Sequence, residues 1–146
     1  MAKGRLIHKK ICLSEQIHLL PNDTARLLYT WIIPQLDIDG RFYGDAQRVG
    51  SLIFPLRSVK KQSIERYLVA MEEVGLIVRY EIEGQVYMWM PKFHIHQTLR
   101  KDRERASIIP APPEDVVRAY KNNEYARFFC FECNEMKAQC RCEEEK

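Results

Sequence analysis

The sequence predicts an α+β fold, a winged helix-turn-helix with a β-hairpin wing, followed by a short helix and a small cysteine-rich, zinc-binding tail. Three observations carry this. Apolar residues recur at helical spacing in separate stretches before residue 75. Two β-rich runs follow, LIVRYEI and QVYMWM, joined by Glu83-Gly84, a two-residue loop of the kind that closes a hairpin. Four of the five cysteines fall within residues 130–142, a spacing that asks for a metal.

Taken in order, residues 4–13 (GRLIHKKICL) are apolar and basic with no helical period, and are expected to run extended. Cys12 lies in an apolar setting there and is expected as a core thiol. Ser14 is placed to cap a short turn, SEQIHLL, which Pro21 ends. Asp23 reads as the N-cap of a strong helix in which Leu27, Leu28, Trp31 and Ile32 form one apolar stripe, with Trp31 as a core anchor. Asp37-Ile38-Asp39-Gly40 is a turn leading into a short strand at 41–43. Its two aspartates suggest a calcium loop, but the third acidic position and the distal Glu of that motif are missing, so the turn reading prevails. Asp45 caps a short helix, AQRVGSLIF, stopped by Pro55. Ser58 opens a longer one, SVKKQSIERYLVAMEEV, ending at Gly75. Its inner face holds Ile64, Tyr67, Leu68, Met71 and Val74, while Lys60, Lys61, Gln62, Glu65, Arg66, Val69 and Glu72 point elsewhere.

An apolar fraction of 46% can build a core, and the first ten residues hold no apolar run fit for a signal peptide. The longest apolar stretch, residues 27–33, is too short to span a bilayer. A cytoplasmic protein is expected, whose cysteines are not paired as disulfides. Residues 1–112 carry 17 Lys/Arg against 12 Asp/Glu, and residues 113–146 carry 6 against 8, so the body is basic and the tail acidic. A basic body favours a polyanionic partner.

The order helix, strand, helix, helix, hairpin gives that charge a geometry. The third helix of such a fold fits the major groove of double-stranded DNA with its N-terminal side chains near base edges. Arg57, Lys60, Lys61, Gln62 and Arg66 cluster at that end. Lys and Arg reach phosphates or guanine edges, and Gln reads adenine. A solvated basic helix face would look the same by charge alone, and it is the full context of helices and hairpin that favours DNA. Behind the wing, PKFHIHQTLRKDRERASIIPAPP supplies Arg100, Lys101, Arg103 and Arg105. This arm suits a phosphate backbone and equally suits a polar linker. His94 and His96 have no acidic or nucleophilic companions and are expected in packing and turn roles.

The stretches MAKGRLIHKKICLSE, ARLLYTWIIPQLDIDGRFYGDAQRVGSLIFPLR and EEVGLIVRYEIEGQVYMWMPKFHIHQ together resemble the N-terminal winged-helix domain of phage replication-initiation proteins. These are the DnaD-like replisome organisers of phages that infect Gram-positive bacteria. The resemblance spans roughly residues 1–112, including RKDR and PAPP. It implies origin or DNA binding in a bacterial host cell and contact with replisome or helicase-loading proteins. It also implies a recognition role for Lys60, Lys61, Gln62 and Arg66, with Gln85 near the wing tip. Members commonly continue into a larger helical domain where this sequence has 34 residues from 113 onward, which implies a compact accessory or regulatory version.

Within those residues PEDVVRAYK reads as a short helix, followed by Cys130-Phe-Glu-Cys133 and Cys140-Arg-Cys142. Four thiolates at this spacing can close tetrahedrally on one zinc ion, a structural site with no open position. Four unrelated thiols on a tail are the alternative. No nucleophile–base pair, phosphate-cradling glycine loop or acidic metal cluster is present, so a binding protein is expected rather than an enzyme. Its partner is DNA or, as the competing reading, a host or replisome protein gripped without direct DNA contact, and a homodimer is open.

Overall fold

The computed structural model describes residues 3–95, 97, 99, 100, 102 and 104–121, together with the backbone of two short strands beyond them. The lead-in is not extended throughout, because Lys9–Leu13 winds into a 3-10 turn whose Lys10 N–H donates to the His8 side chain. Ile11 packs against the core there. Its neighbour Cys12 is consequently exposed, and the expected core thiol lies on the surface. Ser14 accepts from the Ile17 N–H and caps helix α1, Glu15–His18.

Helix α2, Asp23–Ile32, is capped by Asn22, one residue ahead of the expected Asp23. The Asn22 side-chain oxygen accepts from the Ala25 N–H at 2.9 Å. Ala25, Leu28, Tyr29 and Ile32 form its buried row. The expected stripe therefore combined two adjacent rows: 28 and 32 lie inside, whereas 27 and 31 lie on the flank. Trp31 is 45% exposed and does not anchor the core. Its ring instead leans on Phe54, with centroids 5.5 Å apart.

The Asp37 carboxylate accepts from the N–H groups of Asp39 and Arg41 at 2.9 and 3.0 Å, an Asx turn that bears out the turn reading. Strand β1, Arg41–Tyr43, follows. Asp45 accepts from the Arg48 N–H and caps helix α3, Ala46–Ile53. Helix α4 is Lys61–Glu73, three residues shorter at its start than the sequence pattern suggests. Val59 packs partly against the core ahead of the helix, and Lys60, with extended backbone angles, is the N-cap. Ile64, Tyr67, Leu68 and Met71 are buried on α4, and Val74 just beyond it.

Strands β2, Val78–Ile82, and β3, Gln85–Trp89, pair through a turn in which Glu83 and Gly84 both adopt positive φ, +52° and +82°. That is the type I′ geometry expected of a two-residue hairpin. The sheet order is β1-β3-β2, all antiparallel, with Trp89 between Arg41 and Val78. Helices followed by this three-stranded sheet make an α+β fold consistent with a winged-helix-like arrangement.

Behind β3 the chain folds back on the body. The Gln97 side chain bonds the Leu6 backbone in both directions, at 2.9 and 2.8 Å, and Arg5 pairs with Glu104 at 2.6 Å. Arg41 donates to the Ile109 carbonyl and Tyr80 to the Pro110 carbonyl, at 3.0 and 2.6 Å. Helix α5, Glu114–Lys121, lays Tyr120 edge-on against Trp89, with centroids 5.7 Å apart. Beyond it, β4, Phe129–Cys130, pairs antiparallel with β5, Glu135–Met136. Among the described residues no helix is long and apolar enough to cross a membrane.

Candidate nucleic-acid interface

The candidate site starts at the N-terminus of α4. No side chain caps it. The first N–H groups of a helix without a capping side chain form a site of partial positive charge. Lys60, Lys61, Gln62 and Arg66 are all exposed around it. Along the helix the outermost row runs Gln62, Arg66, Val69 and Glu73, the spacing of one face. Arg66 donates to the Ser63 hydroxyl at 3.3 Å, which holds its guanidinium near the basic end. Arg57, in the turn between α3 and α4, lies over the Phe54 ring at 5.1 Å.

Helix α4 carries three carboxylates that would oppose a polyanion: Glu73 is exposed at its far end, and Glu65 and Glu72 are engaged. Arg79 of β2 grips both oxygens of Glu65 at 2.6 and 2.8 Å, donates to Glu72, and reaches the Gly44 carbonyl at 3.2 Å. Its hydrogen bonds, with the nearby positive charge of Lys61, hold the Glu65 carboxyl below the usual range. The two carboxylates in turn hold the Arg79 guanidinium firmly protonated. The wing is different. Gln85 opens β3 and is exposed, but Glu81 and Glu83 are exposed beside it, so the tip carries negative charge.

The expected site residues thus divide. Arg57, Lys60, Lys61, Gln62 and Arg66 come together at one end of α4, whereas Gln85 sits on the wing. Arg100 and Arg105 are exposed on the segment behind it, which Glu104 ties to Arg5. The Arg5 pairing lowers the Glu104 carboxyl below its ordinary value. Lys101 and Arg103 lie outside the described residues, as does His96, and His94 is exposed in the 3-10 turn Phe93–Ile95.

Of the metal candidates, Cys130 is described only as backbone of β4, and Cys133, Cys140 and Cys142 lie outside the described residues. Cys130 pairs with Glu135 of β5. Among the described residues no group of three or more His, Cys, Asp or Glu could hold a metal ion.

Sequence reasoning missed two features. The Arg79 bridge needs β2 to be laid against α4, which no local pattern reports. The exposed Trp31 lies beside a surface whose charge was legible, since residues 46–64 contain Arg48, Arg57, Lys60 and Lys61 and no Asp or Glu. No protein-family model, curated protein or solved structure matches the chain.

Proposed function

We propose that this protein is a DNA-binding winged helix of phage or mobile-element origin, acting in the bacterial host's cytoplasm in replication initiation or its regulation. The basic, side-chain-uncapped N-terminus of α4, whose neighbouring carboxylate Glu65 is engaged by Arg79, is the observation that carries this reading. In a major groove, Lys60 and Lys61 would meet phosphates, while Gln62 and Arg66 would face base edges. Arg57 would meet the backbone from the preceding turn. The acidic tip makes the wing a lesser contact, with Gln85 its one candidate. Arg100, Lys101, Arg103 and Arg105 would add salt-sensitive backbone affinity. In the tail, Cys130, Cys133, Cys140 and Cys142 are proposed to hold one structural zinc ion.

The test is charge reversal of Lys60, Lys61 and Arg66 to Glu together. Affinity for mixed-sequence duplex DNA should fall by at least about tenfold. The thermal midpoint should hardly move, because exposed charges contribute little to stability. Undiminished duplex affinity in the folded variant overturns α4 as the direct contact, and a wild-type chain that does not bind duplex at all overturns the DNA reading in favour of a protein partner.

A further inference from the structure

Trp31 was expected inside and is found at the surface, in company that has a chemistry of its own. The indole is 45% exposed and leans on Phe54 at 59° between ring planes. Phe54 is itself 3% exposed and fixed in the fold, so it props the indole from below. The guanidinium of Arg57 lies over the same Phe54 ring. Between Phe54 and Arg57 the turn presents Leu56, 98% exposed, with its whole side chain in solvent. Lys60 and Lys61 follow within a few residues, at the start of α4.

Exposing a tryptophan, and a leucine two residues from the ring that props it, forgoes burial of apolar surface. The surrounding charge says what could cover them. Residues 24–36 and 46–64, which contribute α2 after its first residue, α3 and the start of α4, contain no carboxylate. Of the carboxylates that border the second stretch, Asp45 faces Arg48 at 3.9 Å and Glu65 is held by Arg79. A partner must therefore offer flat apolar faces and negative charge together. An unpaired nucleic-acid strand does so at every residue, with a base to stack and a phosphate to pair. A paired duplex does not, because its bases are stacked on one another.

We propose that Trp31, with Leu56 and Arg57, is a stacking surface for unpaired bases, adjacent to the duplex-binding end of α4. Its placement rests on the duplex reading given above. Together the two surfaces would select a junction between paired and unpaired DNA, the duplex on α4 and the emerging strand across Trp31. Arg57, which serves the boundary, would hold the phosphate where the strand departs.

Three labelled probes titrated against the full chain test this: a blunt mixed-sequence duplex, the same duplex with a tail of about 15 thymidines, and the tail alone. The tailed duplex should bind about tenfold tighter than the blunt one. Trp31→Ala should remove most of that gain and leave blunt-duplex affinity unchanged, while Trp31→Phe should keep much of it. Leu56→Ser, at a side chain that packs against nothing, should lower tail affinity with no change in thermal midpoint. It therefore decides the matter if Trp31→Ala fails to fold. Equal wild-type affinity for blunt and tailed duplexes overturns the proposal. So does a tail affinity untouched by Leu56→Ser and by a folded Trp31→Ala, which leaves the face for an acidic amphipathic peptide. The α4 charge reversal separates the two readings: if duplex binding survives it while Trp31→Ala still weakens the tail, the placement of the duplex on α4 fails and the stacking surface stands.

Discussion

Arg79 illustrates how much a single side chain decides here. It is 13% exposed and joins β2 to two acidic residues of α4 and to the backbone that leaves β1. Arg79→Met would fill much of the same space but leave Glu65 and Glu72 without their donors. We expect a loss of about 2 kcal/mol in urea unfolding, and weaker duplex binding as the Glu65 carboxylate becomes unscreened beside Lys61 and Arg66. Arg79→Lys should recover only part of either, since a compact ammonium cannot span both acids as a planar fork does. The same contacts set an acid limit. Glu65 and Glu104 are both held below the ordinary carboxyl value by arginine partners. A carboxyl lowered by folding contributes stability that is complete above its unfolded value and is lost as pH falls through its folded one. The thermal midpoint should therefore drop on acidification below about pH 5. The Glu65→Gln, Glu104→Gln double variant should start lower at neutral pH and show a shallower acid slope. An unchanged slope would remove these pairs from the acid response.

At the scale of elements, the passage from β1 to α3 runs close against β3. Gly44 donates to the Val86 carbonyl at 2.9 Å, and a Cβ on it would fall 2.6 Å from backbone atoms of Tyr87. Backbone cannot swing aside as a side chain can, so Gly44→Ala should cost about 2 kcal/mol. The expected signature is a lower urea midpoint with little change in slope. Elements with their own punctuation were legible in the sequence: the hairpin at Glu83-Gly84, the Asp37 turn, α3 behind Asp45 and the stop at Gly75. Misreadings arose where neighbouring residues offered the same chemistry and packing chose between them. Asn22 and Asp23 are both good caps, and the chain uses Asn22. Ser58 can open a helix, but the helix opens only after Val59 has packed. Rows 27–31 and 28–32 of α2 are equally apolar in sequence, and the position of Phe54 leaves Trp31 outside. Of the site, the cluster at the start of α4 was legible as a run of cations. The Arg79 bridge was not, because its partners are 14 and 7 residues away on another element.

For the whole molecule, body and tail are expected to draw stability from different sources. Residues 20–93 supply the large buried cluster of the body, whereas the cysteine tail is short and polar, and a bound ion is the proposed source of its order. Elemental analysis should find about one zinc per chain, lost when Cys130 and Cys133 become Ser. Chelation should render residues beyond about 127 protease-sensitive and leave the thermal midpoint of the body in place. A tail that stays protease-resistant without metal would sink the zinc assignment. The tie between Arg5 and Glu104 bears on the order of events in time. It joins residues 99 apart, and the Leu6–Gln97 bonds join residues 91 apart, whereas α2, α3 and α4 meet over much shorter loops. Distant closures lose more chain entropy and tend to form late. During synthesis the amino-terminal strip must therefore wait, with Arg5 unpaired and the Leu6 backbone unbonded, until Gln97 and Glu104 have left the ribosome. Until then a nascent helical core can already exist, so the chain passes through an interval in which its body is formed and its amino-terminal strip is still loose.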